Sequence, residues 1–98
     1  FKERRDFVVN SFNNIKGLSC LKPEGAFYVF PSCKNLLNKK TKLKTDTDFV
    51  QKLLEQANVA VVQGSAFGLP GYFRISYATS MENLKKAMER IKSFCEKL

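Results

Sequence analysis

Gly71-Tyr72-Phe73-Arg74-Ile75-Ser76-Tyr77-Ala78 is the stretch that decides the fold of this 98-residue chain. It reads as a β-strand with one arginine set among large residues. Residues two apart in a strand share a face, so Phe73, Ile75 and Tyr77 form one row and Tyr72, Arg74 and Ser76 the other. The first row is apolar and suits a core. Arg74 then stands on the opposite face, mounted on a stiff backbone. A planar guanidinium held this way suits bidentate capture of a carboxylate or phosphate, although most strand arginines are solvated or form a structural ion pair.

Working outward, Gln63-Gly64-Ser65-Ala66-Phe67-Gly68-Leu69-Pro70-Gly71 is a glycine-punctuated loop that delivers the chain into this strand. Before it, Val59-Ala60-Val61-Val62 reads as a short buried strand. A helix over roughly Thr47 to Asn58 precedes that, with Phe49, Val50, Leu53, Leu54 and Ala57 as its apolar stripe. Thr45 to Asp48 supply several N-cap candidates, and their acids suit the positive end of the helix dipole. After Ala78 a last helix begins near Thr79 or Ser80. Thr79 as N-cap with Glu82 at N3 fits a capping box, and Leu84, Ala87, Met88, Ile91 and Cys95 recur at helical spacing.

Towards the N-terminus, Ala26-Phe27-Tyr28-Val29-Phe30 is a β-prone run closed by Pro31. Lys22-Pro23-Glu24-Gly25 reads as a loop before it, and residues 32–45 as a polar, Lys-rich surface excursion. Residues 2–16 read as a helix with Phe7, Val8, Phe12 and Ile15 near one face, its end weakened by Asn13, Asn14 and Gly17. The element order is α-β-α-β-β-α. Three short strands with segregated helices predict a single α+β domain over 1–98, a two-layer sandwich with the helices packed on one face of the sheet.

Composition narrows the function. The net charge is +8, from 17 Lys and Arg against 9 Asp and Glu. Lys34, Lys39, Lys40, Lys42 and Lys44 crowd one polar stretch, while the other basic residues mix with acids on helices, a pattern of solvated faces more than of a nucleic-acid footprint. The aromatic run at Phe27, Tyr28 and Phe30 lacks the basic-aromatic pattern of an RNA-stacking strand. Gly64 to Gly68 lacks the GxxxxGK[ST] spacing of a phosphate loop, and a strand follows it where a helix N-terminus would be needed. There is no histidine, no nucleophile elbow, and no metal-like spacing among Cys20, Cys33 and Cys95, which read as free thiols of a reducing cytoplasm. No apolar run reaches membrane-spanning length. Phe1-Lys2-Glu3-Arg4-Arg5-Asp6 alternates in charge, unlike a signal peptide, and opens in mid-helix without Met, as expected of an excised piece of a longer chain.

Taken together, three segments resemble one family. Pro23-Glu24-Gly25-Ala26-Phe27-Tyr28-Val29-Phe30-Pro31, Val59-Ala60-Val61-Val62-Gln63-Gly64-Ser65-Ala66-Phe67-Gly68 and Phe73-Arg74-Ile75-Ser76-Tyr77-Ala78-Thr79-Ser80 resemble, in order and spacing, the C-terminal small domain of class I (fold type I) pyridoxal-phosphate-dependent aminotransferases, nearest the bacterial aspartate-type enzymes. The Glu82-Asn83-Leu84 helix opening is also similar. The resemblance implies that Arg74 binds the α-carboxylate of an amino-acid substrate and that Phe27 lines the same pocket. Phe27 and Val29 are expected on the face of Arg74, with Tyr28 and Phe30 under the helices. Ser65, Ala66 and Phe67 would belong to a loop that approaches the site on domain closure.

The parent enzyme, by the same resemblance, is a cytoplasmic homodimer that uses pyridoxal phosphate to move an amino group from aspartate or a similar amino acid to a 2-oxo acid. Its Schiff-base lysine, the acid on the pyridine nitrogen and the phosphate cup would lie in a large domain outside this sequence. No cofactor, metal, nucleic acid or membrane is therefore expected to bind this chain alone, nor is catalysis. Two other readings stay open at this stage: a basic α+β module for RNA or an acidic partner, and a regulatory domain that binds amino acids through Arg74 without catalysis.

Overall fold

In the computed structural model, which describes residues 2–20 and 27–98, the alternation of Phe73 and Ile75 with Arg74 and Ser76 does build the central strand. β3 (Phe73–Ser76) lies between β1 (Tyr28–Val29) and β2 (Val62–Gln63), antiparallel to both, in the order β1-β3-β2. Three helices complete the described fold: α1 (Lys2–Asn13), α2 (Asp46–Ala57) and α3 (Met81–Glu96). The α-β-α-β-β-α order and the α+β class are those expected. The Lys22–Gly25 loop and Ala26 lie outside the described residues.

Phe73 joins the two layers. It is fully buried, with its ring 5.6 Å from Phe12 of α1 and 5.2 Å from Phe49 of α2. Phe49 in turn meets Phe94 of α3 edge-on at 5.8 Å. Each such aromatic pair adds about 0.5–1.5 kcal/mol beyond simple burial. One strand residue thus fixes the sheet against the helical layer and leaves the Arg74 face turned the other way.

Local chemistry sets the helix ends. Thr45 caps α2 in a full capping box: its hydroxyl accepts the Asp48 N–H at 3.2 Å, and the Asp48 carboxylate accepts the Thr45 N–H at 3.3 Å. At α3 the expected Thr79–Glu82 box is replaced by a cap one residue later. Ser80 accepts the Asn83 N–H at 3.2 Å, the Asn83 amide reaches back to Thr79 Oγ1, and Glu82 faces Lys86 instead. Helix α1 stops earlier than its apolar periodicity implies because the Asn13 side chain leaves the helix. Its amide donates to the Cys20 carbonyl at 2.9 Å and accepts the Cys20 N–H at 2.8 Å. Ile15 is still buried, but from the turn beyond α1.

Strand β2 also lies further along than expected. Val59 is buried ahead of it, whereas Val62 and Gln63, which pair with Arg74 and Phe73, are half-buried. All three cysteines are buried and none is in a disulfide. Among the described residues, no helix is long and apolar enough to cross a membrane.

Candidate functional site

Arg74 enters the site from the middle of the central strand. A neighbouring strand on each side restrains its backbone, and Phe73 and Ile75 anchor it from below. Two rings flank its guanidinium. The Tyr28 ring lies 4.3 Å from Cζ and comes from β1; the Phe67 ring lies 4.5 Å away and comes from the turn after β2. The rings therefore reach Arg74 from opposite sides of β3. Contacts of this kind contribute about 0.5–2 kcal/mol each, more as water is excluded, and hold the guanidinium plane in one orientation. Among the described residues no carboxylate forms an ion pair with Arg74. The side chain is half-buried, so its N–H fork is organised and still open to a ligand.

The expected register of the first strand is corrected by one residue. Tyr28 pairs with Ser76 and Val29 with Ile75. Cross-strand partners project from the same face, so Val29 follows Ile75 into the core, where it is 0% exposed. Tyr28 therefore shares the face of Arg74, and the same register carries Phe30 opposite Arg74. Phe30 and Phe67 meet edge-on with centroids 6.1 Å apart. Phe27 precedes the strand with φ of 56°, a left-handed conformation that breaks the alternation. It is 42% exposed, and its carbonyl accepts the Tyr77 N–H at 2.9 Å.

Phe67 owes its place to a tightly tied loop. Residues Gly64–Phe67 form a 3-10 turn. The Gly64 N–H donates to the Tyr72 carbonyl at 2.7 Å and the Leu69 N–H to the Gly64 carbonyl at 2.9 Å. A Cβ at position 64 would overlap the Leu69 and Tyr72 carbonyl oxygens, which is why this position is glycine. Gly71, with φ of 86°, turns the chain into β3.

Asp46 closes the same loop and was legible in the sequence only as an acid at a helix start. It is the buried charged residue of the described chain, 3% exposed. One carboxylate oxygen accepts the Ser65 N–H at 2.8 Å and the other the Gly71 N–H at 3.3 Å. Burial pushes this carboxyl up, but hydrogen bonds from the Ser65 N–H and hydroxyl, the Gly71 N–H and its own N–H outweigh that and hold it below the ordinary aspartate value.

Pyridoxal phosphate needs a lysine for its Schiff base and an acid or arginine for its pyridine nitrogen. Every described lysine is exposed or half-exposed, Lys34 resting over the Tyr72 ring at 4.8 Å. The buried carboxylate, Asp46, is already engaged by backbone N–H groups. The described residues do not fit that cofactor.

Residues 1–91 match the family model of aminotransferase class I and II. The aspartate aminotransferase of Rhizobium meliloti (strain 1021) is 58% identical over 102 aligned positions, which take in 100% of this chain and 25% of that protein. A probable aspartate/prephenate aminotransferase of Rhizobium leguminosarum bv. phaseoli is 57% identical, over 97% of this chain and 25% of that protein. Among solved structures, the aspartate aminotransferase from Rhizobium meliloti superposes with a TM-score of 0.91 at 56% identity, over 97% of this chain and 25% of that one. The chain thus spans about a quarter of the length of the relatives it matches.

Proposed function

The chain belongs to the class I and II aminotransferases, and on that premise we propose that it is the small domain of such an enzyme, holding the substrate carboxylate through Arg74. The observation that carries this reading is the guanidinium flanked by Tyr28 and Phe67 with no carboxylate partner among the described residues. A carboxylate is planar and accepts two parallel N–H bonds, so it matches this fork. Fixing it fixes the substrate Cα, which converts binding into alignment of the reacting bond. The two rings take part of the guanidinium surface away from water, which strengthens an ion pair made there. By the family resemblance Phe27, exposed and next to Tyr28 in the chain, would add a further apolar wall to this pocket.

The reaction of the intact enzyme, a homodimer on this reading, is transfer of an amino group between aspartate or a similar amino acid and a 2-oxo acid. The relatives' names, aspartate and aspartate/prephenate aminotransferase, support aspartate as one donor. Pyridoxal phosphate would supply the electron sink from a large domain of the same chain, and the 98 residues alone neither hold it nor catalyse. The exposed Tyr28 and Phe67 rings beside Arg74 make this face a fitting surface for that large domain. In the full-length enzyme, Arg74→Ala is expected to lower kcat/KM by about 2–5 kcal/mol, on the order of 30-fold to several thousand-fold, as when one partner of a desolvated charge pair is removed. An unchanged kcat/KM would remove Arg74 from the site.

A further inference from the structure

Asp46 is not needed to bind a carboxylate, lies outside the aromatic walls, and yet is the described charged side chain that the fold buries. A surface aspartate would cap α2 at far lower desolvation cost, and Thr45 and Asp48 already supply the capping box. What Asp46 adds is long-range. Its two oxygens take the N–H groups of Ser65 and Gly71, which lie 19 and 25 residues away in sequence and bracket the loop that carries Phe67. The loop is also closed on itself by the Leu69 N–H to Gly64 carbonyl bond, whose acceptor is the residue just before Ser65.

Building on the carboxylate reading of Arg74, we propose that Asp46 is a positioning residue for that site: by gripping both ends of the Ser65–Gly71 loop it holds the Phe67 ring against the guanidinium. The loop is then not a lid with its own hinge. Its ends are tied to α2 and β3, so Phe67 and Arg74 travel together as one preformed half-site when the domain moves.

The test uses the full-length holoenzyme and succinate, a dicarboxylate that lacks the amino group and cannot react. Asp46→Asn keeps one acceptor oxygen but turns an amide N–H towards one of the two backbone donors. Succinate affinity is expected to fall by roughly 5- to 10-fold in Asp46→Asn and by a similar factor in Phe67→Ala, the scale of one lost ring–cation contact. The double variant is expected to bind no worse than Phe67→Ala alone, because both changes remove the same contact. The Ser65 and Gly71 amides are expected to exchange with deuterium faster in Asp46→Asn than in the parent.

Faster exchange with unchanged succinate affinity would make Asp46 a purely structural tie and overturn the proposal, as would full additivity in the double variant. Should Asp46→Asn fail to fold, Asp46→Ser, which keeps an acceptor and suits a first helical turn, takes its place with the same expected and overturning results. Arg74→Ala in the same titration separates the two claims. If it leaves succinate binding unchanged, the carboxylate reading itself fails. If it weakens binding and neither Asp46 variant does, only the positioning role fails.

Discussion

Acid should loosen this fold through Asp46. Its carboxyl is held below the ordinary aspartate value of 3.8 in the folded chain. A group with a depressed folded value binds its proton more readily when the chain is unfolded. Its stabilising effect is therefore complete above 3.8, declines as pH falls past that value, and is gone once pH has fallen through the lower folded value. The size of the effect follows from the two N–H groups it serves, at 2.8 Å and 3.3 Å. Hydrogen bonds to a charged group contribute about 1.5–3 kcal/mol each, offset by the cost of burying the carboxylate, and stranding one buried donor costs about 1–3 kcal/mol. Asp46→Asn strands one of the two, so a loss of about 2 kcal/mol is expected at neutral pH. For a domain of this size that lowers Tm by roughly 8–16 °C. Thermal unfolding of the 98-residue chain, followed by circular dichroism from pH 7 down to pH 2, measures both quantities. The variant should start lower and lose less on acidification. Equal Tm values at pH 7, or parallel acid profiles below pH 4, would refute the assignment of this bond pair to a charged Asp46.

Phe73→Ala should cost about 3–5 kcal/mol, a large part of a small domain's stability, because it empties the junction of Phe12 and Phe49 with the sheet; denaturant unfolding that shifts by less than about 1 kcal/mol would contradict that junction. The thiols should be inert in the folded chain, since burial pushes Cys20 up to about 11 and Cys33 and Cys95 up to about 12. A thiol reagent at pH 8 should label all three promptly in denaturant and none at a comparable rate without it. Gly64→Ala should weaken the chain and displace Phe67, because the added methyl meets the Leu69 and Tyr72 carbonyls; hydrogen exchange at the Leu69 amide unchanged from the parent would show that the loop is not so tightly closed.

The inward row of β3 was readable because apolar and polar residues alternate there without ambiguity, and one burial pattern satisfies it. The Ala26–Phe30 run offers no such contrast. Phe27 and Val29 form one row, Tyr28 and Phe30 the other, and each contains an aromatic residue. A one-residue slip exchanges the rows without changing the apparent periodicity. Pairing of Val29 with Ile75 settles it, and the aromatic that reaches Arg74 from this strand is Tyr28. Phe67 was visible as part of a glycine-rich loop, but its contact with Arg74 depends on the strand order β1-β3-β2, which local sequence does not encode. Asp46 is the clearest case. Its place among the acids of the Thr45–Asp48 stretch marks a helix start, while its partners 19 and 25 residues later become visible only when the chain has folded back on itself. Arg74 itself was readable from alternation alone as a mounted cation; the two rings that fix its plane were not.

The most direct test of the Arg74 carboxylate clamp pairs the arginine with the group it is meant to hold. In the full-length enzyme, kcat/KM for aspartate is compared with that for its α-carboxamide, in the parent and in Arg74→Ala. The parent should prefer the carboxylate by on the order of 100-fold or more, and that preference should collapse towards unity in Arg74→Ala, because both changes remove the same ion pair. A preference of equal size in both proteins would contradict the account and place the carboxylate elsewhere.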